Sequence, residues 1–117
     1  VRDHTKPRAF RLADELVILV YQLTRAFPKD EHFGLRAQMR RAAVSVPSNI
    51  VEGCARNWQP DFVHHRDIAC GSARELDYQI SYAHRLDYLP PEKVEALRSA
   101  CAETGRVLNG LIRSLRR

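Results

Sequence analysis

At 117 residues, 44% of them apolar and 28% charged, the chain is long enough to bury one core and has the composition of one soluble globular domain. No run approaches the roughly 20 apolar residues of a membrane span, and the polar, basic start carries no signal-peptide pattern, so a cytoplasmic protein is expected. Three cysteines, Cys54, Cys70 and Cys101, are odd in number and far apart, which argues for reduced thiols over a disulfide framework or a Cys-x-x-Cys zinc site.

The first helix is predicted over Arg8 to Ala26. Its apolar residues form two adjacent stripes, Phe10, Ala13, Val17, Val20 and Leu12, Leu16, Leu19, Leu23. That is wider than one core seam needs, so the helix is either deeply buried or meets another subunit. Phe27-Pro28 ends it, because a residue before proline resists the α region. A second helix is expected from an Asp30 N-cap, with Glu31 in the first turn and an apolar stripe of Leu35, Met39, Ala42/Ala43, Val46, Ile50 and Cys54. Pro47 lies inside that stripe. It removes an amide donor and clashes with the Ala43 carbonyl, yet the apolar spacing runs on to Ile50, so a kink is predicted and not a break. Gly53 suits a loosened last turn.

Asn57-Trp58-Gln59-Pro60 is a turn into a third helix with Pro60 or Asp61 at its start and a stripe of Phe62, Ala69, Ser72/Ala73, Leu76, Ile80, Ala83 and Leu86. Pro90-Pro91 stops it. The fourth helix has the clearest period: Val94, Leu97, Cys101, Thr104, Leu108, Leu111 and Leu115 alternate steps of three and four, a heptad seam. No strand pattern, repeat or low-complexity segment interrupts this all-α reading.

Four helices on short turns predict an antiparallel up-down-up-down bundle of one domain. Residues 1–11 carry Arg2, Lys6, Arg8 and Arg11 against Asp3; residues 106–117 carry Arg106, Arg113, Arg116 and Arg117 and no acid. The formal charge of +5 therefore lies entirely at the termini. The predicted topology brings both termini and Arg56 to one end, and leaves Lys29, Asp30, Glu31, Asp87 and Glu92 at the other. Sixteen of the nineteen basic residues are arginine, which suits phosphate recognition; a GC-rich genome gives the same bias.

Phe27-Pro28, Glu31, Gly34-Leu35, Gln38, Arg40-Arg41-Ala42-Ala43, Ser45, Pro47, Asn49-Ile50 and Glu52-Gly53 stand in a distinctive order, followed by Gly71-Ser72, Glu75-Leu76, Ala83, Leu86, Tyr88 and Leu108-Asn109-Gly110-Leu111-Ile112. In these, and in Glu15-Leu16-Val17 through Tyr21, the chain resembles the four-helix-bundle proteins named after intervening sequences in bacterial 23S ribosomal RNA, also labelled S23. The resemblance implies a homopentameric ring without a catalytic site or cofactor. It also implies kinship with the accessory protein of diversity-generating retroelements, a basic ring that works with nucleic acid and a reverse transcriptase. His65 and Arg66 stand where the family often has an aromatic and an apolar residue, Cys70 where a basic residue is common, and Phe10 where Trp is frequent.

Each motif has a structural and a functional reading. If the second and third helices fold back near residue 58, facing positions sum to roughly 117. Glu75 then lies beside Arg41 and Gly71 beside Pro47. An ion pair of Glu75 with Arg41 or Arg40 is expected, with Gly71-Ser72 admitting close backbone approach; direct phosphate contact by the double arginine is the alternative. Asn49 and Glu52 are expected to serve local hydrogen bonding around Pro47. Asp61, His64, His65, Asp67 and Cys70 crowd one stretch but lack the Glu-x-x-His pairing of a carboxylate bundle site, so no metal is assigned. The terminal arginines are the nucleic-acid candidates, against a solvated tail that complements the helix dipole. Trp58 either caps the core or stacks on a base.

Overall fold

A computed structural model describes residues 2–115, with side chains described for residues 2–111. The described chain is all-α. Helix α1 spans Arg8–Thr24, a single 3-10 turn Lys29–Glu31, α2 Leu35–Ala55, α3 Gln59–Arg85 and α4 Pro91–Leu115. There is no strand among the described residues. Helices α2 and α4 each pack on both α1 and α3, whereas α1 makes no close backbone contact with α3, nor α2 with α4. The molecule measures 45 × 24 × 19 Å.

The expected stripes make the core. Met39, Ala42, Ala43, Val46, Ile50 and Cys54 of α2 are buried, as are Phe62, Ala69, Ala73, Leu76, Ile80 and Ala83 of α3. Every seam position of α4 from Val94 to Leu111 is buried. Thr104, its polar member, donates its hydroxyl to the Ala100 carbonyl at 2.8 Å, so the seam closes without an unmet donor. Leu86 departs from the pattern. It caps the end of α3 and is 50% exposed.

The start of α2 differs from the Asp30 cap expected. Asp30 belongs to the 3-10 turn, and α2 begins at Leu35. The capping carboxylate is Glu31, which accepts the Leu35 N–H at 3.0 Å and the Tyr88 hydroxyl at 2.8 Å. A Cβ on Gly34 would fall 2.5 Å from the Glu31 Oε1, so glycine there keeps the capping oxygen in place. These two hydrogen bonds, Leu35 first, hold the Glu31 carboxyl below its ordinary value. Asp30 does not cap α2 because it lies inside the 3-10 turn, four residues short of the helix, and it is Glu31 that reaches the Leu35 N–H.

Helix α2 runs unbroken through Pro47, with Val46 and Ile50 buried on either side. At its last turn Gly53 lies against α3: a Cβ there would meet the His65 Cβ at 3.2 Å and the Phe62 ring at 3.4 Å. Gly71 does not have the role expected of it. It is exposed, with nothing within 4 Å of where a Cβ would stand. Its neighbour Ser72 faces α2, donating to the Ser45 hydroxyl at 2.7 Å. That pair falls on the expected register.

Just beyond the Leu86 cap of α3 stands Asp87, whose φ of 59° is in the left-handed region. The Tyr88 N–H reaches back to the Ala83 carbonyl at 2.9 Å, closing the last turn. The reversal sends the Tyr88 ring toward Phe27, 5.2 Å between centroids, and its hydroxyl to Glu31.

Candidate nucleic-acid interface

The segment before α1 is tied to the α2–α3 turn. The Arg2 N–H donates to the Cys54 carbonyl at 2.7 Å, and its guanidinium donates to the Arg56 carbonyl at 2.9 Å. The same guanidinium lies 4.8 Å over the Phe62 ring. Asp3 accepts both the N–H and the hydroxyl of Thr5, at 3.0 and 2.6 Å, which shapes the turn and holds its carboxyl below the ordinary range. Pro7, Arg8 and Ala9 then line a shallow groove with Val107, Gly110 and Leu111 of α4. The N-terminal segment, the α2–α3 turn and the last described turns of α4 therefore meet.

Of the basic candidates, Arg8 pairs with Glu103 of α4, and Arg56 with Glu52 at 3.2 Å. Arg106 lies 3.8 Å from Glu103. These pairs are exposed, and exposed pairs contribute only about 0–1 kcal/mol, so a phosphate can replace the carboxylates at small cost. Lys6 and Arg11 are exposed and form no ion pair among the described residues. The Arg113 side chain, Arg116 and Arg117 lie outside the described side chains. Trp58, at the α2–α3 turn, is 66% exposed and so does not cap the core.

The double arginine does not brace α3. The Arg40 Nε donates to the Thr24 hydroxyl at 3.0 Å, its terminal nitrogen to the Tyr21 carbonyl at 3.2 Å, and its guanidinium lies 4.4 Å over the Tyr21 ring. Arg40 thus closes the end of α1, where unpaired carbonyls attract a cation. Thr24 is fully buried and donates in turn to the Val20 carbonyl at 2.7 Å. Burial, then the neighbouring Arg36, depress the Arg40 pKa. Arg41 is exposed, and Glu75, also exposed, accepts from Gln79 at 3.2 Å and forms no ion pair among the described residues. The expected Glu75 pairing fails because the hydroxyl and carbonyls ending α1 are within reach of Arg40, while Glu75 turns out to solvent.

Asn49 builds a polar seam between α2 and α3. Its amide nitrogen donates to the Ser45 carbonyl at 2.8 Å and the Ser45 hydroxyl at 3.1 Å. That orientation turns Asn49 Oδ1 toward His65 Nδ1, 3.0 Å away, so the His65 proton is assigned to Nδ1. Ser72, Ser45, Asn49 and His65 form one chain of hydrogen bonds. Glu52 lies outside it, paired with Arg56. His65, one of the departures from the family pattern, thus has a partner within the fold. Arg66 pairs with Asp67 at 3.0 Å and is largely covered.

Among the described residues no group of three or more His, Cys, Asp and Glu side chains is arranged to hold a metal ion. Among the described residues no helix is long and apolar enough to cross a membrane. The three cysteines are free thiols. Burial raises the thiols of Cys54 and Cys70, and pushes Cys101 up to about 12. Cys101 lies 3.9 Å from the Ala73 carbonyl, a packing role.

One surface has no counterpart among the residues singled out in the sequence. Tyr78 and Tyr82 lie one turn apart on the outer face of α3, their hydroxyls 3.0 Å apart and ring centroids 5.2 Å apart. The signal was present as two tyrosines at i, i+4 opposite the apolar stripe.

The sequence model of the 23S rRNA-intervening sequence protein family matches residues 6–110. The chain belongs to this family. Its fold is also similar to a crystal structure from Bacteroides thetaiotaomicron VPI-5482, a protein with unknown function from the S23 ribosomal protein family. That likeness has a TM-score of 0.81 at 22% identity and covers 90% of this chain and 95% of that one. No curated protein matches the chain. Family membership accounts for the Phe27–Gly53 signature, and the fold likeness extends over nearly all of the helices.

Proposed function

We propose that this protein is a non-enzymatic, nucleic-acid-associated scaffold that acts as a homo-oligomer, a pentamer by family resemblance, with one basic end. The observation that carries the reading is the docking of Arg2 on Cys54 and Arg56. It draws the basic N-terminal segment to the α2–α3 turn, beside the end of α4. An up-down-up-down bundle with a kinked second helix has this consequence, and the paired positions support that topology: Ser45 meets Ser72 and Asn49 meets His65, so contacts descend α3 as they ascend α2. Lys6 and Arg11 form no ion pair among the described residues, Arg113, Arg116 and Arg117 follow in sequence, and exposed Trp58 offers a stacking surface.

A ring would multiply this charge at one face. Binding through several phosphates falls steeply with salt and tolerates sequence. The test is titration of RNA and DNA oligonucleotides at increasing salt. Affinity is expected to drop steeply, and to weaken markedly when Arg113, Arg116 and Arg117 are changed to Gln; salt-independent binding would contradict the reading.

A second reading has its own observation. Leu12, Leu16 and Leu19 of α1 line a groove with Ala96 and Ala100 of α4. A protein partner, such as a reverse transcriptase, docked there would bind in a salt-insensitive way, and binding would be abolished in Leu12→Glu.

A further inference from the structure

The outer face of α3 carries a row of cations and aromatic rings that the core does not use. Arg74, Tyr78, Tyr82 and Arg85 recur at steps of four, four and three, so they share one face of the helix. All four are exposed, Tyr78 at 60%. The two rings stand edge to face at 80°, with centroids 5.2 Å apart. The Arg85 guanidinium lies 4.9 Å over Tyr82, which fixes the second ring while Tyr78 is left open to solvent. Arg74 lines the α3–α4 groove with Arg106, so a second cation from α4 stands beside the start of the row. The stretch holds two acids: Asp77 lines that groove and lies close enough to raise the Cys101 thiol, and Glu75, exposed one turn before Tyr78 at the edge of the row, accepts from Gln79.

From this face we infer a second contact surface for single-stranded nucleic acid, on which bases stack against Tyr78 and Tyr82 while Arg74, Arg85 and Arg106 hold the flanking phosphates. The inference takes its ligand class from the function proposed above. It adds a surface on the flank of the bundle that shares only Arg106 with the basic end. Two features favour a single strand over a duplex or a protein. Exposed rings offer faces on which unpaired bases can stack and the paired bases of a duplex cannot, and cations bracket the rings where the phosphates of a strand would run. The rings are about 6 Å apart along the helix axis, room for one base on each. Stacking is tolerant of sequence, because every base has a π-face.

The test compares the full chain with Y78A/Y82A and Y78F/Y82F, using fluorescent oligo(U) and oligo(dT) and a duplex of equal length. Sedimentation of each variant is measured alongside. All four positions of the row are exposed, so both variants are expected to fold. The alanine pair should bind single strands at least about tenfold more weakly with an unchanged salt slope. The phenylalanine pair should bind as the parent does, and duplex binding should not change. Equal single-strand binding by the alanine pair would overturn this surface while leaving the basic end intact. An altered mass in Y78A/Y82A would assign the row to contact between copies and also overturn it. A parent chain that binds no oligonucleotide would remove both this inference and the function it rests on.

Discussion

The Arg40 guanidinium meets a hydroxyl, a carbonyl and an aromatic ring, all from the last two turns of α1. Hydrogen bonds to charged groups contribute about 1.5–3 kcal/mol, less where water competes. Arg40→Ala is therefore expected to cost about 1–2 kcal/mol in urea or thermal melting. Glu75→Gln should change stability by less than about 0.5 kcal/mol, as for other exposed positions. The reverse order would restore the Glu75 brace. Glu31 gives a second residue-level prediction, through pH. Its folded carboxyl sits below the ordinary 4.5, so it favours the fold above that value, and the contribution disappears as pH falls through the lowered one. Glu31→Gln should melt lower than the parent at pH 7, with the gap closing in acid. A gap independent of pH would remove Glu31 from the acid response. The Arg40 site was hard to see in sequence. Arg40 and Thr24 are sixteen positions apart on different helices, and no local spacing pairs them.

At the scale of elements, α2 and α3 are joined by packing and by one polar seam. Asn49 is its centre, since its amide serves Ser45 and its carbonyl serves His65. Asn49→Ala takes away the partner of the partly covered His65, while Ser45 keeps the Ser72 hydroxyl, so a loss of about 1–2 kcal/mol is expected in chemical denaturation. Asn49→Ala within about 0.5 kcal/mol of the parent would make the seam incidental. The helices themselves were legible. Apolar periods located all four, and the Val94–Leu111 seam is buried at each step. The helix 2–3 register was legible too, because a short turn leaves few alignments, and Ser45–Ser72 obeys it. The start of α2 was not. An Asp in a 3-10 turn looks like an N-cap in sequence, and only the folded chain returns Glu31 to Leu35. Gly71 departs from the sequence expectation too, since register places it near α2 while its helical phase turns it outward.

At the scale of the whole molecule, the charge asymmetry seen in sequence acquires a physical cause in the docking of Arg2 on Cys54, Arg56 and Phe62. Two of the basic candidates, Arg8 and Arg56, also hold acids of their own chain, which sequence distance concealed for Arg8. Among the described residues of that end, Arg2, Lys6 and Arg11 form no ion pair, and further arginines follow in sequence. The most direct measurement is the slope of log affinity against log salt for an RNA oligonucleotide, for the parent and for a variant with Lys6, Arg11, Arg113, Arg116 and Arg117 changed to Gln. Each phosphate no longer neutralised should flatten the slope by about 0.7–0.9. The account predicts a steep parent slope that is flattened by several units in the variant, with unchanged melting and mass. Equal slopes in the two proteins would contradict it.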